Sequence, residues 1–538
     1  MATKGKRKNF YFLIFICTYI VMMVFRLILM KIAGSKGNAY FCAAADVFFF
    51  LCFSFSYAFE NSVRTLIEIR LNRQMYENMK RVFKGALILG LVISFVLILL
   101  FTVFGKGITE KLFRMHLTYM PFVVMLPAIP LTIISGVLRG YISGTGSKRL
   151  SDRSYLIFGL IYLITGIICP NLFLKYGTSV SKLLRVENYT YSYSAIGASL
   201  CLVIASFFSF IYLLVICIMY SNRTVLGEGR DYAKSFESMP EIFTQIASNG
   251  IMHLFVIMSV GLSFIINDIL MLSHMDDERV LEFTFGEYYG KSMPLIHILI
   301  CVLALFMYSY IKKAKRAVFR DEYRNAREKL GRLIHSCSVL GMFLAGMAIV
   351  LSTNVLDILY ASSGQDTNKY IQAESAMIVL GLFALVMIEM LLMLKSYNIA
   401  AIICGIGFVV HTVFALVLEL LLKMSIYGSI IANILGSLVI AMLAFVIVAR
   451  GFQYTQEWFR TFVVSLIGAI TTTVIGLLIN NTLAPLAGKL ISFVVTLVLC
   501  LLIYVVILLF LKGYDEEELE ESVIGRVVLN LGRTLRLI

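Results

Sequence analysis

Along the chain, apolar residues gather into runs of about twenty, each closed by a short charged break, and a helix needs that many to cross a bilayer. Fourteen such runs begin near Asn9, Tyr40, Phe83, Pro121, Ser154, Tyr193, Ile242, Tyr289, Leu333, Ile371, Ile399, Ser425, Phe459 and Ala487. Polar residues interrupt the second, fourth and seventh. The first has the basic start of a signal peptide but is too long and lacks a small-residue cleavage site, so it reads as a retained helix. The pattern predicts an all-α integral membrane protein with 14 transmembrane helices.

Composition sharpens this. Of 538 residues 60% are apolar and 15% charged, against roughly 45–50% and about 25% in soluble domains. A soluble globule could not cover so much apolar surface. A soluble enzyme, a disordered chain and a disulfide scaffold are thereby excluded. The ten Cys lie in or beside apolar runs and none forms Cys-x-x-Cys, so buried thiols are the better reading than metal ligands or disulfides. No cofactor is implied.

The net charge of +15 matters by position more than by total. Lys and Arg number 33 in alternate connecting segments and 11 in the others. That bias predicts an even number of spans with both termini cytoplasmic. The richest segment, Lys312–Arg332, holds nine basic residues among Asp321, Glu322 and Glu328. It reads as a solvated helix enforcing topology, or else as a docking surface for acidic lipid headgroups or a partner. Sequons at Asn188 and Asn480 fall in the outer segments and carry no weight.

An internal repeat is visible. Ser194–Ser206 opens the sixth span and Ser425–Ser437 the twelfth, with Gly197 matching Gly428 and small residues at similar offsets. The layout is an N-terminal six-helix lobe over 1–220, a cytoplasmic linker over 221–241, a C-terminal six-helix lobe over 242–450, helices 13 and 14 over 451–512 and a cytoplasmic tail over 513–538.

Ionisable groups inside spans cost several kcal/mol unless paired or wet, which makes each a functional candidate. The candidate substrate-binding residues are Arg26 in the first helix, Lys291 opening the eighth, Arg64 after the second, Arg139 ending the fourth, Asp46 and Asp268. Glu389 and Glu419 are further acids, with Glu374 nearer an edge. Arg26 can line a cavity or snorkel to headgroups, and Lys291 can line the same cavity or lie in an outer loop. Arg139 reads first as an inner-interface anchor. His297 and His411 read as hydrogen-bonded helix residues. The stretch Gly140–Lys148 lacks the order of a phosphate loop and follows a membrane helix. With no nucleotide-binding domain, uphill transport would draw on an ion gradient or the membrane potential.

Four stretches resemble the multidrug/oligosaccharidyl-lipid/polysaccharide exporter superfamily, and within it the group of stage V sporulation protein B and the lipid II flippases. They are Leu138-Arg-Gly-Tyr-Ile-Ser-Gly144; Arg64-Thr-Leu-Ile-Glu68 with Lys80-Arg-Val-Phe-Lys84; Arg26 with Lys31-Ile-Ala-Gly34; and Gly513–Leu519 with Gly525-Arg526. The chain departs from the group at Tyr57-Ala-Phe59 in place of Gly-x-Pro, at Tyr310 where a Pro is usual nearby, and at Val523. The resemblance implies two lobes related by pseudo-twofold symmetry, alternating access, and an undecaprenyl-pyrophosphate-linked saccharide carried from the inner to the outer leaflet of a bacterial plasma membrane. It also implies a groove for the lipid tail along spans 13 and 14. Expected partners are the lipid-linked saccharide and membrane lipids, with envelope-synthesis enzymes as a further candidate; nucleic acid is not one. A cation-coupled multidrug exporter and a non-transporting scaffold for envelope synthesis are the alternatives.

Overall fold

The computed structural model describes residues 11–224, 235–274, 278–360, 365–514, 529–530 and 533. Every regular element among them is helical. The middle of the expected linker and most of the expected tail, including Gly525-Arg526, lie outside the described residues.

The elements run as α1 (Tyr11–Phe48), α2 (Ser54–Asn72), α3 (Tyr76–Gly107), α4 (Tyr119–Met125), α5 (Ala128–Gly144), α6 (Lys148–Leu184), α7 (Asn188–Thr224), α8 (Met239–His274) and α9 (Glu278–Glu287). They continue with α10 (Met293–Val318), α11 (Tyr323–Leu359), α12 (Gln365–Glu374), α13 (Ala376–Met393), α14 (Tyr397–Ala415), α15 (Ile426–Phe452), α16 (Val464–Ala487) and α17 (Lys489–Phe510). Wider i→i+5 turns at Phe49–Phe53, Tyr288–Ser292 and Leu416–Leu421 continue the helices beside them. Twelve helical stretches are long and apolar enough to span a membrane, or 13 with the bent pair His116–Met125 and Ala128–Gly144. The bend follows Pro127, which has no N–H for the helix ladder.

The difference from the expected fourteen arises at the start of the chain. Ile16–Asn72 is one helical stretch of 57 residues, whereas the sequence suggested two spans. Such a stretch, if straight, would measure about 85 Å against about 30 Å of hydrocarbon. It is not straight, because Gly34 has φ 65° and ψ −171°, a conformation that glycine enters without steric cost. Arg26 and Asp46 form an ion pair although 20 residues separate them. A straight helix would hold them about 30 Å apart. The two limbs of α1 therefore fold back on each other at Gly34, and the polar stretch Lys31–Asn38 stays helical on either side of that one residue.

The chain divides into two compact units. The first comprises residues 1–294 and 396–432, the second 295–395 and 433–538. In the first unit α5 lies on α2 through a glycine stripe. A Cβ on Gly136 would sit 2.3 Å from the Ser56 carbonyl oxygen, and one on Gly140 2.8 Å from that of Glu60. Gly144 meets Ile67 in the same way. The i, i+4, i+8 spacing puts all three on one face and lets the backbones touch, the small-residue packing that joins helices in lipid. Here is the physical content of the Leu138–Gly144 motif.

In the second unit α16 and α17 pack on α11. Val339, Phe343, Met347 and Val350 meet Val464, Ala469, Cys500 and Tyr504 in one buried cluster. A polar clasp completes it, with Asn354 and Asn480 exchanging side-chain hydrogen bonds of 2.8 and 3.0 Å and Ser492 donating to Asn480 at 2.7 Å. Asn480 of the second sequon is thus a buried packing residue.

The glycine stripe generates a test. Gly136→Ala is expected to cost about 1–3 kcal/mol by overpacking. Gly107→Ala, whose Cβ would meet nothing within 4 Å, is expected to be neutral or better. Thermal unfolding of the detergent-solubilised protein measures both; equal midpoints would break the packing argument.

Candidate functional site

Several of the charged groups that sequence reading picked out lie inside the first unit, where four segments supply them. The folded-back α1 contributes Arg26 and Asp46, α8 contributes Asp268, and the two wide turns carry Tyr289, Lys291 and Glu419. Such turns shift helix register by one residue and recur at functional positions.

Arg26 is 1% exposed. One Nη donates to Asp46, and the other lies 3.7 Å from the sulfur of Met293. Asp268 is fully buried, with Asp46, Tyr289, Arg26 and Glu419 as its electrostatic neighbours. Neither Asp268 oxygen has a hydrogen bond of good geometry, although the Tyr289 hydroxyl lies beside the carboxyl. Glu419 accepts a hydrogen bond from Ser429, and its second oxygen is buried without a donor. Snorkelling is therefore not what Arg26 does. Arg26 is instead paired with Asp46 in the buried interior, with Asp268 beside the pair and Glu419 next to Asp268.

Lys291 stands close by on the same wall, two residues from Met293. Its ammonium donates to Glu287 at 2.7 Å, one helical turn back. Glu287 also accepts from Ser35 at 2.6 Å, Tyr40 donates to Glu282 at 2.5 Å, and Lys36 donates to Asn188 at 2.9 Å. Gly286 permits this contact, since a Cβ there would come within 1.9 Å of the Ser35 carbonyl oxygen. The segment after Gly34 and the segment 278–292 thus form one polar seam, and Lys291 belongs to it rather than to an outer loop.

Arg139 and Arg64 are elsewhere. Arg139 on α5 lies 3.7 Å from Glu60 and 4.1 Å over the ring of Tyr155, whose hydroxyl donates to Glu60 at 2.6 Å. With carboxylate, ring and neighbouring hydroxyl around it, Arg139 joins α2, α5 and α6 as a structural tie. Arg64, half-buried on α2, has His253 and Asp152 as electrostatic neighbours. The structure thus brings together Arg26, Asp46 and Asp268, pairs Lys291 with Glu287 in the adjoining polar seam, and leaves Arg64 and Arg139 apart.

Sequence reading overlooked Glu60, Glu282 and Glu287. Glu287 had a usable signal, because a Glu four residues before a Lys is a favoured helical pair. Glu60 had none, since its partner lies on a helix remote in sequence. In the same unit an apolar hollow of about 550 Å³ separates α8 from α14, lined by Phe255, Met258, Leu262, Ile402, Gly405 and Val409.

The fold is shared with solved membrane transporters of the multidrug/oligosaccharidyl-lipid/polysaccharide exporter superfamily. An inward-facing multidrug transporter of the MATE family aligns over 81% of this chain and 94% of its own at a TM-score of 0.65 and 12% identity. The lipid II flippase MurJ in an inward closed conformation aligns over 92% and 97% at 0.63 and 11% identity. No protein-family model matches the chain. In sequence, it is a homologue of stage V sporulation protein B of Bacillus subtilis (strain 168), 20% identical over 520 residues, which cover 95% of this chain and 96% of that protein. It has the fold of these membrane transporters, and its long apolar helices make it a multi-pass membrane protein.

The pairing of Arg26 with Asp46 carries an energetic test. Removing one member of a buried pair strands the other and costs about 3–5 kcal/mol, whereas replacing both by apolar groups costs far less. Arg26→Met and Asp46→Leu are each expected to lower the unfolding midpoint sharply, and the double variant to recover most of the loss. Additive losses in this cycle would show that the two side chains do not interact.

Proposed function

We propose that the chain is a flippase moving a lipid-linked saccharide, undecaprenyl-pyrophosphate-linked, from the inner to the outer leaflet by alternating access. In this reading the fold has fourteen spans, counting Ile16–Asn72 as two passes and the bent pair as one. Six-helix lobes over 1–220 and 242–450 move around the substrate, and both termini are cytoplasmic. The observation that carries the proposal is the near full-length likeness, covering 92% of this chain, to a protein whose name is lipid II flippase, joined to buried cations on one wall.

The chemistry supports it in a specific way. A guanidinium pairs with phosphate oxygens as it does with a carboxylate, and an ammonium offers a point charge. Arg26 and Lys291 are both held by internal carboxylates, Asp46 and Glu287. A phosphate entering this wall exchanges one oxyanion partner for another, so neither cation is left bare; the displaced carboxylate must in turn take up a proton or another cation. The hollow between α8 and α14 offers a hydrocarbon chain a lined path on the same unit. An inside-negative potential favours outward movement of an anion by roughly 2.3 kcal/mol per charge per 100 mV.

One observation favours a second element, cation coupling. Arg26 balances one of the carboxyls of Asp46, Asp268 and Glu419, and the low dielectric makes two further bare carboxylates prohibitive. Positive charge must enter with them. Among the described residues no three His, Cys, Asp or Glu side chains are set to hold a metal ion, which makes protons the simplest neutralising species. A cation-coupled exporter would use the same acids, so the substrate assay separates the readings.

In proteoliposomes with a fluorescent undecaprenyl-pyrophosphate saccharide, wild-type protein is expected to translocate it. Arg26→Gln with Asp46→Asn, which keeps the site neutral, and Lys291→Gln are each expected to lose at least tenfold in rate. Translocation at the wild-type rate in both would remove these cations from the mechanism, and failure of the wild type would leave the exporter reading.

The coupling element has its own measurement. An imposed pH gradient is expected to change the wild-type rate, and Asp268→Asn is expected to abolish that response. A pH response retained in Asp268→Asn would assign coupling elsewhere.

A further inference from the structure

The turn joining α10 to α11 carries charge that neither the fold nor the site uses. Lys312–Arg332 holds nine Lys and Arg against three acids. Ala314, Ala317, Ala326 and Leu330 are buried, while Lys313, Arg316, Arg320, Arg324 and Arg327 are exposed. On α10 positions 313 and 316 are three apart and therefore share one face, and Arg320 follows in the turn. Positions 324 and 327 do the same on α11.

Two of the three acids are locally engaged. Glu322 lies 4.0 Å from Arg320, and Glu328 pairs with Arg332 at 2.5 Å and lies 3.9 Å from Lys329. Arg316, Arg324 and Arg327 have no ion pair among the described residues. A set of uncompensated arginines is unfavourable by self-repulsion unless something anionic meets it.

Position and aromatic content say what that is. The turn 319–322 joins two helices that are both long and apolar enough to span the membrane, so it lies at the bilayer surface. Phe319 is 60% exposed and Tyr323 51%. The Lys313 ammonium lies 5.6 Å from the ring of Tyr310, and that of Lys315 5.6 Å from Phe319. Aromatic rings interleaved with cations beside a span are the pattern of the membrane–water interface. Juxtamembrane clusters of four to eight Lys and Arg bind anionic headgroups at about 1 kcal/mol per charge.

We propose that this surface binds the headgroups of anionic phospholipids in the leaflet it faces. The chain has one competing occupant of its own, the acidic run Asp515–Glu521, which follows Tyr514, itself packed 4.7 Å from His335 on α11. The exposed rings and the place between two spans favour lipid over that run.

Full-length protein in neutral detergent, titrated with soluble short-chain phosphatidylglycerol or phosphatidylcholine, tests the proposal by thermophoresis or native mass spectrometry. Phosphatidylglycerol is expected to bind, with an affinity that falls as salt rises, and phosphatidylcholine to bind far more weakly. Arg316→Gln/Arg324→Gln/Arg327→Gln is expected to weaken phosphatidylglycerol binding about a hundredfold, roughly fivefold per charge. The variant with Lys at the same three positions is expected to retain it. Equal binding of the two lipids, an affinity indifferent to salt, or an unaffected Gln variant would overturn the proposal. So would binding that emerges only after the acids of 515–521 are neutralised, which would assign the surface to the chain's own acidic run.

Discussion

The site rests on one reversal of the backbone. Gly34 lets the first helix fold back, and that fold sets Arg26 against Asp46 inside an apolar bundle. Without the reversal Arg26 would be a lone buried cation, which lipid does not tolerate. With it, the two limbs form a wall against which α8 and the segment 278–292 pack, and Asp268 and Tyr289 come to the same place while Lys291 joins the seam through Glu287. The polar seam from Ser35 to Tyr40 follows from the same turn. Local backbone freedom at one glycine thus decides where charge is stored.

Stored charge then dictates chemistry. In a medium that solvates ions poorly, each charge needs a partner at every stage of a transport cycle. The carboxylates Asp46 and Glu287 meet that need for Arg26 and Lys291. In the flippase we propose, a passenger would have to offer oxyanions that replace them, and protons would neutralise the acids it displaces. The tie of Arg139 to Glu60 and Tyr155, by contrast, holds three helices together.

Much of this was legible in the sequence, because lipid is a strict solvent. Apolar run length marked the helices. Arg26, Asp46, Asp268 and Lys291 stood out since charge within a span is rare. What escaped was pairing. Which cation meets which acid depends on contacts between helices hundreds of residues apart, as for Ser35 with Glu287 and Tyr155 with Glu60. Span boundaries escaped as well, because helices such as α3 and α11 extend into polar sequence beyond the membrane, and a one-residue reversal at Gly34 leaves no loop to read. The buried role of Asn480 was likewise invisible, as a sequon looks the same in a loop and in a core.

The central claim is that the first 57-residue helical stretch crosses the membrane twice. Single cysteines at Lys36 and Arg73, in a background without reactive native thiols, can be probed in intact cells with a membrane-impermeant reagent. The account predicts labelling of position 36 from outside and of position 73 only after the cells are permeabilised. A protected position 36 together with outside labelling of position 73 would mean a single crossing, and the wall that joins Arg26 to Asp46 would not exist.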